Sequence, residues 1–208
     1  SATTDAGVGA AAALGWKFLD ARGNPVRPEG GCLSAVARII APSRMPFEQL
    51  HVLCDVTNPL YGPMGAAWVY GRQKGGNDRS LADLDAGLRH IAELVEKQTG
   101  RAGLAKTPGA GAAGGLGFGA LAFMNATLKR GVEMVLDLVD FDAACTRADL
   151  IITGEGRIDG QSLQGKLIQG VCARAGNVPV IALCGKLLVG PEQIKAMGLR
   201  AAYSINDV

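Results

Sequence analysis

Histidines, aromatic side chains and an excess of either charge are all scarce in this 208-residue sequence. The two histidines, His51 and His90, form no H-E-x-x-H metal helix and join no Ser/His/Asp nucleophilic set, which removes those hydrolytic chemistries. Lysine and arginine number 21 against 19 acids, a net charge of +2. A nucleic-acid binder would show a stronger and segregated basic excess, so no nucleic-acid partner is expected. No apolar run approaches the roughly 20 residues that span a bilayer, and no secretory signal stands out. The expectation is a cytoplasmic protein with no membrane partner. Five cysteines lie far apart without a C-x-x-C pair. They read as unpaired thiols of a reducing compartment and not as disulfides or zinc ligands.

What the chain has in abundance is glycine, 30 residues or about double the ordinary share. The glycines cluster between apolar segments, which points to loops built from backbone. With 48% hydrophobic and 19% charged residues, the composition is globular, and the length suits one large domain or parts of two. The opening "SATTDAGVGA" is already motif-like and the closing "SINDV" follows no final helix, so the chain reads as a fragment.

The C-terminal third has the clearest organisation. Residues 148–153 and 178–184 suit buried strands, and 201–205 suits a third. Between them, 162–176 has helical spacing with Gly176 as C-cap, and Pro191 starts a second helix through Met197. This β-α-β-α-β alternation predicts a parallel sheet covered on both faces, with ligands at the carboxyl ends of its strands. Upstream, the pattern predicts a helix over 6–15, strands over 16–20 and 49–56, and a turn at Gly23 and Asn24. A helix led by a Ser80–Asp83 capping box is predicted to run through Leu81, Leu84, Leu88, Ile91 and Val95. The glycine-rich stretch 108–120 leads to a helix ending near Lys129 and a strand near 133–139.

The densest polar stretch is "IITGEGRIDGQSLQGK", residues 151–166. Gly160, Gly165 and Lys166 reproduce most of a Walker phosphate loop, but Leu167 stands where a Ser or Thr should meet Mg²⁺. Gly154 and Gly156 begin a dinucleotide fingerprint that Asp159 breaks, which weakens an NAD-dependent alternative. Both matches read as accidental. The chemistry of Glu155, Arg157, Asp159, Ser162 and Lys166 on one strand-to-helix turn remains, against the blander reading of a solvated, helix-capping loop. In "CDVTNP", Asp55 closes a strand and could meet Mg²⁺ or a hydroxyl, while Asn58 before proline could serve a turn. Lys74 and Arg72 lie on a glycine-flanked loop that suits an anion clamp or a solvated turn. The 108–119 glycines could expose amides to an anion or allow close helix packing. His90 lies off the apolar stripe of its helix and reads as solvated.

Four motifs occur in one order: "SATTDAGVG", "CDVTNPLYGPMGAAWVYGRQKGG", "PGAGAAGGLGFG" and "ITGEGRIDGQSLQGK". Together they resemble the glycerate kinase family over nearly the whole chain. The resemblance implies an α/β fold with parts of two α/β domains: a flavodoxin-like parallel-sheet domain split in sequence, and a second domain inserted into it. Residues 1–148 would be mostly insert and 149–208 the returning part. It also implies transfer of a phosphoryl group from ATP, with Mg²⁺, to D-glycerate. Matching positions are Ser1, Thr3, Asp5, Asp55, Asn58, Lys74, Gly154, Glu155, Gly156, Arg157, Asp159, Ser162 and Lys166. Thr4, Ala6 and Gly160 depart from the family's usual Asn, Gly and Ser.

On this resemblance Asp55 or Asp159 would bind Mg²⁺ or orient the hydroxyl, Arg157 and Lys166 would neutralise phosphate or carboxylate, and Glu155 would hold a metal-bound water. Asp55, Arg157, Asp159 and Lys166 are thus the catalytic candidates. Ser1, Thr3, Asp5, Asn58, Lys74, Gly154, Glu155, Gly156 and Ser162 are the substrate- and phosphate-binding ones. Taken alone, the chain is expected to be inactive, since part of the split domain would be missing. The competing reading is a metabolite- or nucleotide-binding fragment without catalysis.

Overall fold

Four alanines in the six-residue helix α1 (Val8–Ala13) open the first of two folding units, which run Ser1–Lys129 and Arg130–Val208. The computed structural model describes residues 3–159 and 166–206, with Lys166 described by its backbone only. After α1, strand β1 (Lys17–Leu19) pairs antiparallel with β2 (Arg38–Ile40). The turn between them is tied by Asp20, whose Oδ1 accepts from the amides of Arg22 and Asn24. Strand β3 (His51–Leu53) precedes the short helix α2 (Ala66–Tyr70), a 3₁₀ turn at Arg72–Lys74 and the long helix α3 (Asp78–Thr99).

Helix α3 starts about one turn earlier than its sequence suggests. Asn77 is the N-cap and Ser80 its reciprocal partner: Asn77 Oδ1 accepts from the Ser80 amide and Ser80 Oγ from the Asn77 amide. Asn is as good an N-cap as Ser, and Asp78 in the first turn complements the helix dipole. Leu81, Leu88, Ile91 and Val95 are buried along one face, each contributing about 1.5–3 kcal/mol of hydrophobic stabilisation. Gly100, with φ of 70°, ends the helix. His90 is not simply solvated, because its Nε2 lies 2.6 Å from the Val36 carbonyl.

Helix α4 (Ala112–Met124) stops before Lys129. Asn125 takes φ of 49°, the left-handed state that terminates helices, and Thr127–Lys129 becomes β4, paired parallel with β3. Phe123 is the centre of this unit's core, with Trp16, Phe18 and Phe118 packed around it at centroid distances of 5.2, 5.5 and 6.2 Å.

The second unit opens with α5 (Gly131–Leu138) where a strand near 133–139 was expected. Val132 and Leu136, four residues apart, are its buried pair. Helix α6 (Phe141–Cys145) follows, and then β5 (Ile151–Ile158), α7 (Lys166–Arg174), β6 (Val180–Leu187), α8 (Pro191–Ala196) and β7 (Ala201–Ser204). The sheet is parallel in the order β5-β6-β7. Strand β5 runs through the glycines beyond Thr153, because Gly154, Glu155, Arg157 and Ile158 all find partners on β6. Val180, Ala182 and Cys184 share a core with Val132, Leu136, Ile168 and Val171. On the opposite face Ile152, Leu183 and Tyr203 are exposed, where cover on both faces was expected. Among the described residues no helix is long and apolar enough to cross a membrane, and no disulfide joins any of the five cysteines.

Candidate functional site

In the first unit the opening segment is held by backbone contact. The Gly114 carbonyl accepts from the amides of Asp5 and Ala6 at 3.1 and 3.2 Å. A Cβ on Gly114 would lie 2.1 Å from the Thr3 carbonyl oxygen, and one on Gly119 would lie 2.6 Å from that of Ala6. Ala113, Gly114 and Gly115 carry left-handed φ values of 50, 73 and 92°, which turn the chain into the helix. These glycines therefore serve close packing against residues 3–7.

The polar candidates beside them are engaged with backbone. Asp5 is 9% exposed, and its two carboxylate oxygens accept from the amides of Gly7 and Gly9 at 2.9 and 3.2 Å, which anchors the start of α1. Lys74 Nζ donates to the Thr3 carbonyl at 2.6 Å and to Thr4 Oγ1 at 3.4 Å. Burial pushes the Lys74 pKa down, and the Asp5 charge opposes that shift. Thr3, Asp5 and Lys74 are thus brought together, while Ser1 lies outside the described residues.

Asn58 sits at a second junction. Its Nδ2 donates to the Met64 carbonyl at 2.9 Å, and its Oδ1 accepts from the Tyr70 hydroxyl at 2.6 Å. Its carbonyl accepts from the Gly111 amide, whose residue has no room for a Cβ because the Pro59 oxygen would be 2.2 Å away. Sequence spacing gave no sign of Tyr70, which reaches Asn58 from 12 residues downstream. Asp55 is exposed on the segment that leaves β3.

In the second unit the charged residues gather at the carboxyl end of β5. Arg157 and Asp159 form an ion pair of 2.7 Å, with side chains 60% and 18% exposed. Glu155 Oε2 is buried without a hydrogen-bond partner, an uncommon state for a carboxylate oxygen. A Cβ on Gly154 would touch the Leu183 carbonyl at 3.4 Å, whereas one on Gly156 would meet nothing within 4 Å. Ser162 and Gly160 lie outside the described residues; Lys166 is the first residue of α7. Asp55 and Asn58 belong to the first unit and Glu155, Arg157 and Asp159 to the second. Among the described residues no three His, Cys, Asp or Glu side chains converge as a metal site of their own.

Three residues of this edge escaped the sequence reading. Lys186 stands opposite Arg157 in the β5–β6 register. Ser204 Oγ and Asn206 Nδ2 both donate to the Gly185 carbonyl, at 3.4 and 2.5 Å. A signal was present, since all three stand at or just beyond predicted strand ends in a parallel sheet.

Comparison with known proteins extends these observations across the chain. The model of the Glycerate kinase family matches residues 1–208. The glycerate kinase of Bacillus subtilis (strain 168) is 44% identical over 210 residues, which cover 99% of this chain and 55% of that protein. The glycerate 2-kinase of Escherichia coli (strain K12) is 39% identical with the same coverage. A crystal structure from Salmonella typhimurium LT2, described as a glycerate kinase 2, superposes with a TM-score of 0.82 at 40% identity. It is covered over 54% of its chain by 98% of this one. The chain therefore spans about half the length of the curated relatives it matches.

Proposed function

The chain belongs to the glycerate kinase family, and from that premise we propose that the whole protein transfers the γ-phosphoryl group of ATP to a hydroxyl of D-glycerate. We favour 2-phosphoglycerate as product, in keeping with the glycerate 2-kinase among its relatives. The hydroxyl oxygen bonds to the γ-phosphorus as the bond to the β,γ-bridging oxygen breaks. ADP leaves and the hydroxyl proton passes to a base. Such chemistry asks the protein for positioning and charge neutralisation.

The observation that carries the reading is the edge of β5, where a buried, unpartnered Glu155 oxygen stands beside the Arg157–Asp159 pair. Mg²⁺ would supply charge neutralisation between the β- and γ-phosphates. It commonly keeps several waters and takes only one or two carboxylates from a protein. Glu155, through a metal-bound water, and Asp159 would meet that demand. Arg157 and Lys166 neutralise phosphate, and Asp159 or Asp55 orients the hydroxyl. Ser1, Thr3, Asp5, Asn58, Lys74, Gly154, Gly156 and Ser162 form the substrate- and phosphate-binding loops. In the same reading β5 to β7 belong to a flavodoxin-like domain split in sequence, and most of residues 1–148 to an α/β insert. The place of work is the cytoplasm.

The test is ADP release by the full-length protein with D-glycerate and Mg-ATP, with phosphorus and carbon magnetic resonance identifying the esterified carbon. Release that does not depend on D-glycerate would sink the reading.

A further inference from the structure

We propose that Lys186 is a phosphate-binding residue. With Arg157 it makes a two-cation rung, at the carboxyl end of the β5–β6 ladder, that takes the polyphosphate of a nucleoside di- or triphosphate. The identity of the anion rests on the kinase reading above; the rung itself is a matter of register.

The parallel pairing sets Arg157 directly opposite Lys186. Ladder partners project from the same face of a sheet about 4.8 Å apart, so a guanidinium and an ammonium emerge side by side. Both residues are exposed. Like charges opposite one another on neighbouring strands destabilise a sheet. Asp159 offsets Arg157 through its 2.7 Å ion pair, but among the described residues no carboxylate pairs with Lys186. A local choice that works against an otherwise consistent fold is the mark of a functional position. This one stands where parallel sheets gather ligands.

The backbone under the rung is fixed. A Cβ on Gly185 would lie 2.8 Å from the Gly156 carbonyl oxygen, so the strands approach there as only glycine allows. The Gly185 carbonyl accepts from Ser204 Oγ and Asn206 Nδ2, which ties the residue before Lys186 to the third strand. Beyond the rung the Leu188 amide donates to the Ile158 carbonyl at 2.8 Å. Lys186 therefore leaves a braced position, with only its side chain to order on binding. A fork and a point charge side by side suit adjacent phosphoryl groups better than one carboxylate.

Calorimetric titration of the full-length protein with ADP, inorganic tripolyphosphate and D-glycerate tests the rung. For Lys186→Ala we expect ADP and tripolyphosphate affinity to fall about tenfold or more. D-glycerate affinity should stay at the wild-type value, and the thermal midpoint without ligand should be unchanged or raised. Lys186→Arg should keep ADP affinity within a few fold, and Lys97→Ala, on the exposed surface of α3, should match wild type in all three titrations. Wild-type ADP affinity in Lys186→Ala would overturn the proposal and leave the kinase reading standing. A loss confined to D-glycerate would also overturn it, since the rung would then hold a carboxylate. A wild-type protein that binds neither ADP nor tripolyphosphate would sink the kinase reading, and the rung with it.

Discussion

The glycine-rich turn of the first unit and Gly156 of the second use glycine in opposite ways. In the first, Gly111, Gly114, Gly117 and Gly119 are places where one backbone presses on another, each with a carbonyl oxygen within 2.6 Å of where a Cβ would sit. In the second, Gly156 has nothing within 4 Å and is extended β-strand. The polar side chains follow the same division. Asp5, Lys74 and Asn58 spend hydrogen bonds on the protein's own backbone, while Glu155 keeps a buried oxygen without a partner. Glycine count alone therefore says little about where a ligand sits. Whether each glycine is filled against backbone or left open says more.

The largest effect that would sharpen this contrast is Gly114→Ala. A Cβ 2.1 Å from the Thr3 oxygen, at a φ of 73°, cannot be relieved by a rotamer change. Destabilisation of at least about 4 kcal/mol is expected, read by denaturant melting of the full-length protein. A loss below about 1 kcal/mol would break the comparison, because the opening segment could then move away freely.

Next comes Arg157→Ala, for which kcat/KM should fall at least about a hundredfold, roughly 3 kcal/mol of transition-state stabilisation. Its thermal midpoint should hold, because an ion pair whose arginine is 60% exposed is worth at most about 1 kcal/mol. Arg157→Lys, keeping charge without the fork, should recover part of the rate. Activity that falls only in step with stability would make the pair structural.

Tyr70→Phe should be milder. It removes the 2.6 Å bond that orients Asn58, at a cost of about 1–1.5 kcal/mol in stability. The chemical-shift pattern of the Asn58 side-chain amide should change with it, and an unchanged pattern would show that the Met64 contact alone fixes the amide. The smallest effect belongs to Gly156→Ala, which should shift stability by less than about 0.5 kcal/mol. A large loss there would erase the distinction between the two kinds of glycine.

How much of this was legible in the sequence varied with the range of the forces involved. The parallel strands of the second unit could be read because each contains a short apolar run set off by helical segments. Residues 133–139, "EMVLDLV", misled because a brief β-branched run looks alike in strand and helix until packing chooses, and the Val132–Leu136 pair chose helix. The extension of β5 through "GEGRI" was hidden because pairing with β6 outweighs the poor strand propensity of glycine. The motif residues were visible as motifs. Tyr70 and Lys186 were not singled out, since their meaning comes from a contact and a register that join distant parts of the chain.

The glycine packing of the first unit also has a genetic consequence. Every missense change to a glycine codon brings in a residue with a Cβ, and at Gly111, Gly114, Gly117 and Gly119 that atom collides with main chain. Apart from synonymous third-base changes, these codons have almost no neutral neighbours, so the protein sequence of the stretch that clasps the opening segment should drift slowly between lineages whatever its part in catalysis. Codons for Gly31, Gly156 and Gly190, with open space around them and no left-handed φ, are held by no such packing constraint. A glycine of that kind that stays invariant across a family is therefore the more informative about function.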